Sequence, residues 1–345
     1  MQPESLIGKQ LRDGWTIEGR REFSPHATGG RHSLGYIAKH PDGRQAFIKL
    51  LDPTLNRDAP DPLDDLRLRI EVFQYEQKLV EKCQRQRMSR VVRAIDAGEL
   101  TDDLDSNPIY YLTFELAECD LREQADLERR FDLAFRMRVL HQASVGLQQL
   151  HWAQIALQDL KPSNVLIFSD NKTKLGDLGH AHELGNPRPG PVRVIAADPT
   201  YAPPEQLYSH IPEDWGTRRL SADLYQLGSL AVFLFAGVGI TSLLSGQLRP
   251  EHHWDVWMGE YQDVLPYLRE ATDAALDELA TATETTVREE LVQLVRYLTE
   301  PEPTRRGHPK NIAGNGATFG IHRFVSRFNV LATRAEFELR KKLSA

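Results

Sequence analysis

The stretch LQDLKPSNVLIF, residues 157–168, constrains this chain more than any other segment. It sets an acidic residue, a lysine and an asparagine into a short polar turn that runs straight into the apolar VLIF. As a mere connection, Asp159, Lys161, Pro162 and Asn164 would be ordinary turn vocabulary. A second acidic turn, Asp177-Leu178-Gly179, stands a little further on. Between the two lie VLIF, SDNK and TKLG, which read as apolar run, turn and strand.

The segments around these turns differ in character. Residues 15–17, 34–39 and 45–51 read as short strands, and HPDGR at 40–44 carries the Asp-Gly signal of a hairpin turn. Residues 64–84 place Leu66, Ile70, Phe73, Leu79 and Val80 near helical spacing. VVRAIDAGEL and IYYLTFELA resemble two further strands. The first 117 residues therefore predict a mostly antiparallel sheet with one long helix. From residue 132 onward the apolar spacing is mainly helical.

In this order the motifs resemble the eukaryotic-type (Hanks-type) serine/threonine protein kinase family, over roughly residues 15–306. The family's H-R-D-L-K-P-x-N stands here as Leu157 to Asn164, and its D-F-G as Asp177-Leu178-Gly179. PPEQ at 203–206 is similar to A-P-E, Asp223 in SADLYQLG to the aspartate bracing the catalytic loop, and Arg306 to the arginine that pairs with the motif's glutamate, Glu205. The resemblance implies an α+β, bilobal fold. A small antiparallel-sheet lobe with one helix would occupy 1–117 and a larger, mainly helical lobe 118–312, followed by a helical extension over 313–345.

The activity implied is magnesium-dependent transfer of the γ-phosphoryl of ATP, with manganese as an alternative metal. Such transfer is mostly positioning and charge stabilisation, which explains the residue types. Asp159 would orient the acceptor hydroxyl and take its proton, Lys161 would neutralise the transferring group, and Asn164 and Asp177 would hold the metal through hard oxygen donors. Lys49 in AFIK matches the V-A-I-K lysine, with Glu76 its expected partner ahead of Glu71 and Glu81. Glu115 and Ala117 belong to the hinge that would meet adenine, Phe114 takes the gatekeeper place, and Leu166 would floor the site. Leu157 and Leu178 would fill a buried column between the lobes. Lys161-Pro162 goes in this family with serine or threonine acceptors of protein substrates. Small-molecule phosphotransferases of related fold show H-G-D-x-x-x-x-N and lack the pair. Taken alone, Lys49 would read as a strand-edge lysine in water.

Several positions depart from the pattern. The glycine-rich loop aligns with residues 28–33, so Gly29 and Gly30 would meet the phosphates without the usual glycine framework. Phe47 replaces the small residue that touches adenine. These two departures favour the alternative of a pseudokinase serving as a binding or scaffold module. Gln158 stands for the arginine of H-R-D and brings no buried cation requiring a phosphate partner. Residues 180–201 carry hydroxyls only at Thr200 and Tyr201, so the site is expected to form without loop phosphorylation. Asp198 occupies the neighbourhood of a threonine that contacts the catalytic loop.

Composition limits what else the chain can be. A net charge of -7 argues against broad attraction to nucleic acid or anionic lipid. The cysteines, Cys83 and Cys119, make no disulfide framework, and the apolar run at 227–240 is too short and glycine-broken to span a bilayer, so a cytoplasmic protein is expected. Cys119 reads as an incidental small residue rather than a nucleophile. The pairs His180/His182 and His252/His253 lack the further ligands of a metal site. Trp254, Trp257 and Tyr261 lie in an acidic stretch that either anchors local helices or recruits a partner. Ile321, Phe324, Phe328, Leu331, Ala335 and Leu339 predict an amphipathic C-terminal helix, set to pack on the large lobe or to meet another protein or a membrane surface.

Overall fold

The computed structural model describes residues 6–21, 33–100, 108–127, 131–314 and 317–343. Strands β1 (Thr16–Arg20), β2 (Ser33–Lys39) and β3 (Gln45–Leu51) precede helix α1 (Pro62–Arg85), and β4 (Ala94–Leu100) and β5 (Ile109–Glu115) complete an antiparallel sheet in the order β1-β2-β3-β5-β4.

Strand periodicity decides what the sheet offers to each side. In β3 the side chains of Ala46, Ile48 and Leu50 are fully buried among Trp15, Ile17, Tyr36 and Tyr111 on the outer face. Alternation then forces Phe47, Lys49 and Leu51 onto the opposite face, toward α1 and the body of the molecule. Helix α1 starts where Asp61 accepts hydrogen bonds from the amides of Leu63 (2.9 Å) and Asp64 (3.1 Å), with Pro62 in its first turn. Its buried stripe, Phe73, Glu76, Val80 and Cys83, follows helical spacing and carries Glu76 inward with the apolar residues.

The second half is built on helices. Strand β6 (Cys119–Asp120) leads to α2 (Leu121–Leu127), α3 (Leu133–Trp152), β7 (Ile155–Ala156), β8 (Val165–Phe168), β9 (Lys172–Leu175) and β10 (His182–Glu183). Then follow α4 (Pro204–Leu207), α5 (Ser221–Ala236), α6 (Ile240–Gln247), α7 (Tyr261–Ala282), α8 (Arg288–Leu298), α9 (Pro309–Ile312) and α10 (His322–Leu343). Helix α5 is the hub: every residue from Ser221 to Leu234 is buried, and it ends at Gly237, whose φ of 80° suits glycine. A Cβ on Gly228 would come within 2.4 Å of Thr299 Cγ2, so α5 and the end of α8 approach closely only because that position has no side chain. Among the described residues no single helix is long and apolar enough to cross a membrane.

Helix α10 packs along α3. Phe324, Phe328 and Leu331 are fully buried and Ala335 nearly so, while Leu339 lies at the partly exposed end. Packing on the large lobe is thus the arrangement adopted. Trp254 and Trp257 pack against the core, Trp254 edge-on to Tyr208 and Tyr261 bonding through its hydroxyl to Pro301 O at 2.9 Å, so these aromatic residues serve as local anchors.

Candidate active site

The sheet and the helical body meet at a cleft floored by the hairpin β8–β9. Val165 and Ile167 bury into the core, and alternation turns Leu166 up into the cleft. Lys49 crosses from β3 to Glu76, with Nζ 2.7 Å from Oε1 and 2.8 Å from Oε2, and also reaches Asp177 Oδ1 at 2.8 Å. Glu71 is exposed, and Glu81 takes a hydrogen bond from Gln77, so the helix presents Glu76 alone of the three candidates to the lysine.

The three groups are compact, with Glu76 nearly dry and Lys49 and Asp177 partly shielded from water. Burial opposes the charge on Lys49, but Asp177 and Glu76 outweigh it and raise the ammonium's pKa. Burial likewise opposes the charge on Asp177, yet Lys49 and the amide of Gly179 hold its carboxyl far below the usual carboxylate range. A Cβ on Gly179 would lie 3.1 Å from Asp177 Oδ1 and 3.4 Å from Glu76 Oε2, so the cluster needs glycine there. Asp177 itself holds a φ of 54°, a left-handed conformation costly for a residue with a side chain.

The polar turn of residues 158–164 lies alongside. Asp223, fully buried, accepts from the amides of Leu157 (2.8 Å) and Gln158 (2.7 Å) and bonds His151 Nε2 at 2.8 Å. Gln158 sits at φ 67°, again left-handed, so the aspartate braces a strained turn. Asp159 is 2 % exposed; its Oδ2 meets Lys161 Nζ at 3.1 Å and Asn164 Nδ2 at 3.0 Å, whereas Oδ1 is buried with no hydrogen-bond partner among the described residues. Burial raises the Asp159 pKa against the pull of Lys161. Asp198 stands 3.6 Å from Lys161 Nζ, so residues 180–201, which take the place of the activation segment in the kinase resemblance, reach the polar turn of residues 158–164 through a carboxylate.

Leu157 and Leu178 are buried in the same apolar cluster as Phe73 and Leu79 of α1. Arg306 grips Glu205 with two bonds of 2.8 Å and also donates to the carbonyls of Glu300, Pro301 and Ser221. The Glu115 side chain turns to Lys174 (2.6 Å), and Glu115, Leu116 and Ala117 line the cleft edge. Gly29 and Gly30 lie outside the described residues.

Phe47 does face the cleft, opposite Phe114 in the strand register. The remaining cavity is about 170 Å³. Small-molecule sites usually run from roughly 300 to 1,000 Å³, so this cleft is narrow.

Two features escape a reading of the sequence. Arg21 and Glu123 clasp across the cleft mouth at 3.0 Å, joining the sheet to α2. Arg219 donates to Gln158 Oε1 at 3.0 Å while Gln158 Nε2 donates back to Arg219 O at 2.9 Å. Gln158 itself brings no cation to the turn, but Arg219, 6 % exposed, stands beside it from the segment just before α5. The only hint was the Arg-Arg pair just before SADLYQLG. Cys119 donates to Gln124, and burial with nearby acids pushes its thiol up to about 11, as suits an unreactive side chain. Among the described residues no group of three or more His, Cys, Asp or Glu is arranged to hold a metal ion, the two histidine pairs included.

An antiparallel sheet lobe over a helical body, with the lysine, the carboxylates and the buried arginine so placed, is the bilobal protein kinase fold. The protein kinase domain model matches residues 38–315, and the chain belongs to that family. It is 25% identical over 309 residues to the hormonally up-regulated neu tumor-associated kinase of Mus musculus, covering 88% of this chain and 38% of that protein. It is 32% identical over 116 residues to a cyclin-dependent kinase 1 of Encephalitozoon cuniculi, covering 32% of this chain and 38% of that protein. With the serine/threonine-protein kinase AfsK of Streptomyces coelicolor it shares 35% over 92 residues, covering 27% of this chain and 11% of that protein. The chain thus spans well under half the length of these relatives.

Proposed function

We propose that the chain is an ATP-dependent serine/threonine protein kinase, with residues 1–117 as nucleotide-holding lobe, 118–312 as catalytic and substrate lobe, and 313–345 as a brace. The observation that carries this reading is Asp159 Oδ1, a buried carboxylate oxygen with no partner among the described residues, beside a lysine–glutamate–aspartate cluster in the same cleft. Leaving such an atom unsatisfied costs about 1–3 kcal/mol, which a substrate hydroxyl would offset.

Each residue then has one task. Asp159 orients the acceptor hydroxyl and takes its proton. Lys161 sits beside it to meet charge on the transferring group, and Lys49, fixed by Glu76, holds the α- and β-phosphates. Glu115 and Ala117 offer hinge backbone to adenine, with Leu166 beneath and Phe47 beside. The carboxylate of Asp177 and the side-chain oxygen of Asn164 are hard donors that suit magnesium or manganese, a metal that needs few protein ligands because phosphate and water supply the rest. Bound there, it would neutralise charge on the phosphates. Lys161-Pro162 supports serine or threonine as acceptor in a protein substrate.

Labelled ATP with magnesium, followed by phosphosite mapping, tests the reading. Incorporation into serine or threonine that disappears in Asp159→Asn and Asp177→Asn supports it. A second reading, a pseudokinase scaffold, is favoured by one observation, the narrow cavity beside Phe47. Nucleotide binding with no transfer to any protein would select it.

A further inference from the structure

A second cavity, of about 250 Å³, opens between the activation segment and the turn before α5. Arg188 and Arg193 line it from the segment, and Arg218 and Arg219 from the facing turn. Arg188 donates to the carbonyls of Gly179 and Pro189, and Arg219 to Gln158, all uncharged acceptors. Arg218 Nη2 is buried with no hydrogen-bond partner among the described residues. Two acids stand on the rim. Glu183 is held by Lys82 at 2.5 Å and by Asn186 at 2.7 Å, and Glu213 is exposed. Among the described residues none of the four arginines has an aspartate or glutamate at ion-pair distance.

Four cations around one cavity repel each other. Burial and the neighbouring Arg218 bring Arg219 down to about 10, and burial with Arg219, Arg188 and Arg218 brings His182 down to about 3. What such a pocket accepts is a compact dianion with several oxygens, because guanidinium forks match phosphoryl geometry and a phosphorylated serine carries about -1.5 to -2 charges.

The segment cannot supply that group itself. Between His180 and Pro199 it has no serine, threonine or tyrosine. Beyond them, the Thr200 hydroxyl bonds Asp198 at 2.7 Å, and the buried Tyr201 hydroxyl is held by Arg122 at 2.6 Å. The phosphoryl group must therefore come from outside the segment. Val192, 69 % exposed, and Trp215 also line the pocket and offer apolar contact that a bare ion would not use.

We propose that this pocket receives a phosphorylated serine or threonine of a second polypeptide, gripped by Arg188, Arg193, Arg218 and Arg219. The site is separate from the cleft, yet its inner wall is Arg219, bonded to the residue just before Asp159.

The test is a binding measurement made without nucleotide, so its outcome is independent of whether the cleft transfers phosphate. Fluorescence anisotropy would compare a degenerate nonapeptide pool centred on phosphoserine with the same pool centred on serine. The phosphorylated pool is expected to bind at least tenfold more tightly, with the preference shrinking as salt rises. Arg193→Gln, at an exposed position, should reduce the preference severalfold, and the Arg193→Gln/Arg218→Gln double variant should abolish it while melting within a few degrees of the parent. Equal binding of the two pools overturns the proposal, as does a preference that survives in the double variant. Competition by inorganic phosphate as effective as the phosphorylated pool would replace the polypeptide site with a free-anion site.

Discussion

Asp159 is a buried carboxylate and Asp177 a partly buried one, and their surroundings drive them in opposite directions. Asp177 beside Lys49 is held low, so its contribution to stability is present above the unfolded value of about 4 and is lost only as pH falls through a lower folded value. Lys49 is held high, so its contribution is full below about pH 10 and is lost as pH rises through its higher folded value. Asp159 is raised; its burial costs stability at neutral pH, and the cost fades as pH falls through its folded value toward the unfolded one. If Asp159 must be ionised to act, the acid limb of kcat/KM lies above the ordinary aspartate range of about pH 4, and a pH–rate profile with its midpoint below that range would contradict the assignment. Asp159→Asn should lower kcat by about 10²–10⁴-fold with binding of nucleotide retained. Phe47 gives the sharpest affinity prediction: Phe47→Ala widens the cleft and should tighten ATP by about tenfold, or about 1.4 kcal/mol, in calorimetric titration. Unchanged or weaker binding would mean that the ring is a stacking surface and not an obstruction.

At the scale of elements, the position of α1 matters most, because it carries Glu76 to Lys49. The helix is tied to the activation segment at its middle, where the Tyr75 hydroxyl bonds Asn186 O at 3.0 Å, and at its far end, where Lys82 bonds Glu183. Near its start the Asp61 cap, Pro62 and Arg69, which donates to the carbonyls of Asp52 (2.9 Å) and Thr54 (2.8 Å), fix it, and Asp61→Ala should cost about 1 kcal/mol, read as a lower urea midpoint. Gly179→Ala would push a methyl group into the Lys49–Glu76–Asp177 cluster and should lower kcat more than stability. Much at this scale was readable from pattern. Strand alternation in AFIKLL puts Phe47 and Lys49 on one face, and the stripe through Phe73 and Val80 brings Glu76 inward, in each case because side-chain period follows backbone geometry. Arg219 was not readable, since its partner Gln158 is distant in sequence and the contact depends on how α5 docks.

Across the whole molecule, the central helix α5 and the Glu205–Arg306 pair hold the helical body together. Both charges of the pair are buried, so Glu205→Ala leaves a guanidinium without its counter-ion and should cost about 3–5 kcal/mol, measured as loss of the unfolding midpoint. Helix α10 closes the far side of the body, with its fully buried phenylalanines set against α3. By itself the sequence determined the two-part architecture, the order of the motifs and the residue types that stand at Lys49, Asp159, Asn164 and Asp177, because periodicity and residue type are local properties. Only the tertiary structure decided how narrow the cleft is beside Phe47, which cation replaces the one missing at Gln158, and that four arginines converge on a single cavity. Those are matters of distance between segments far apart along the chain, and such distances are set by packing.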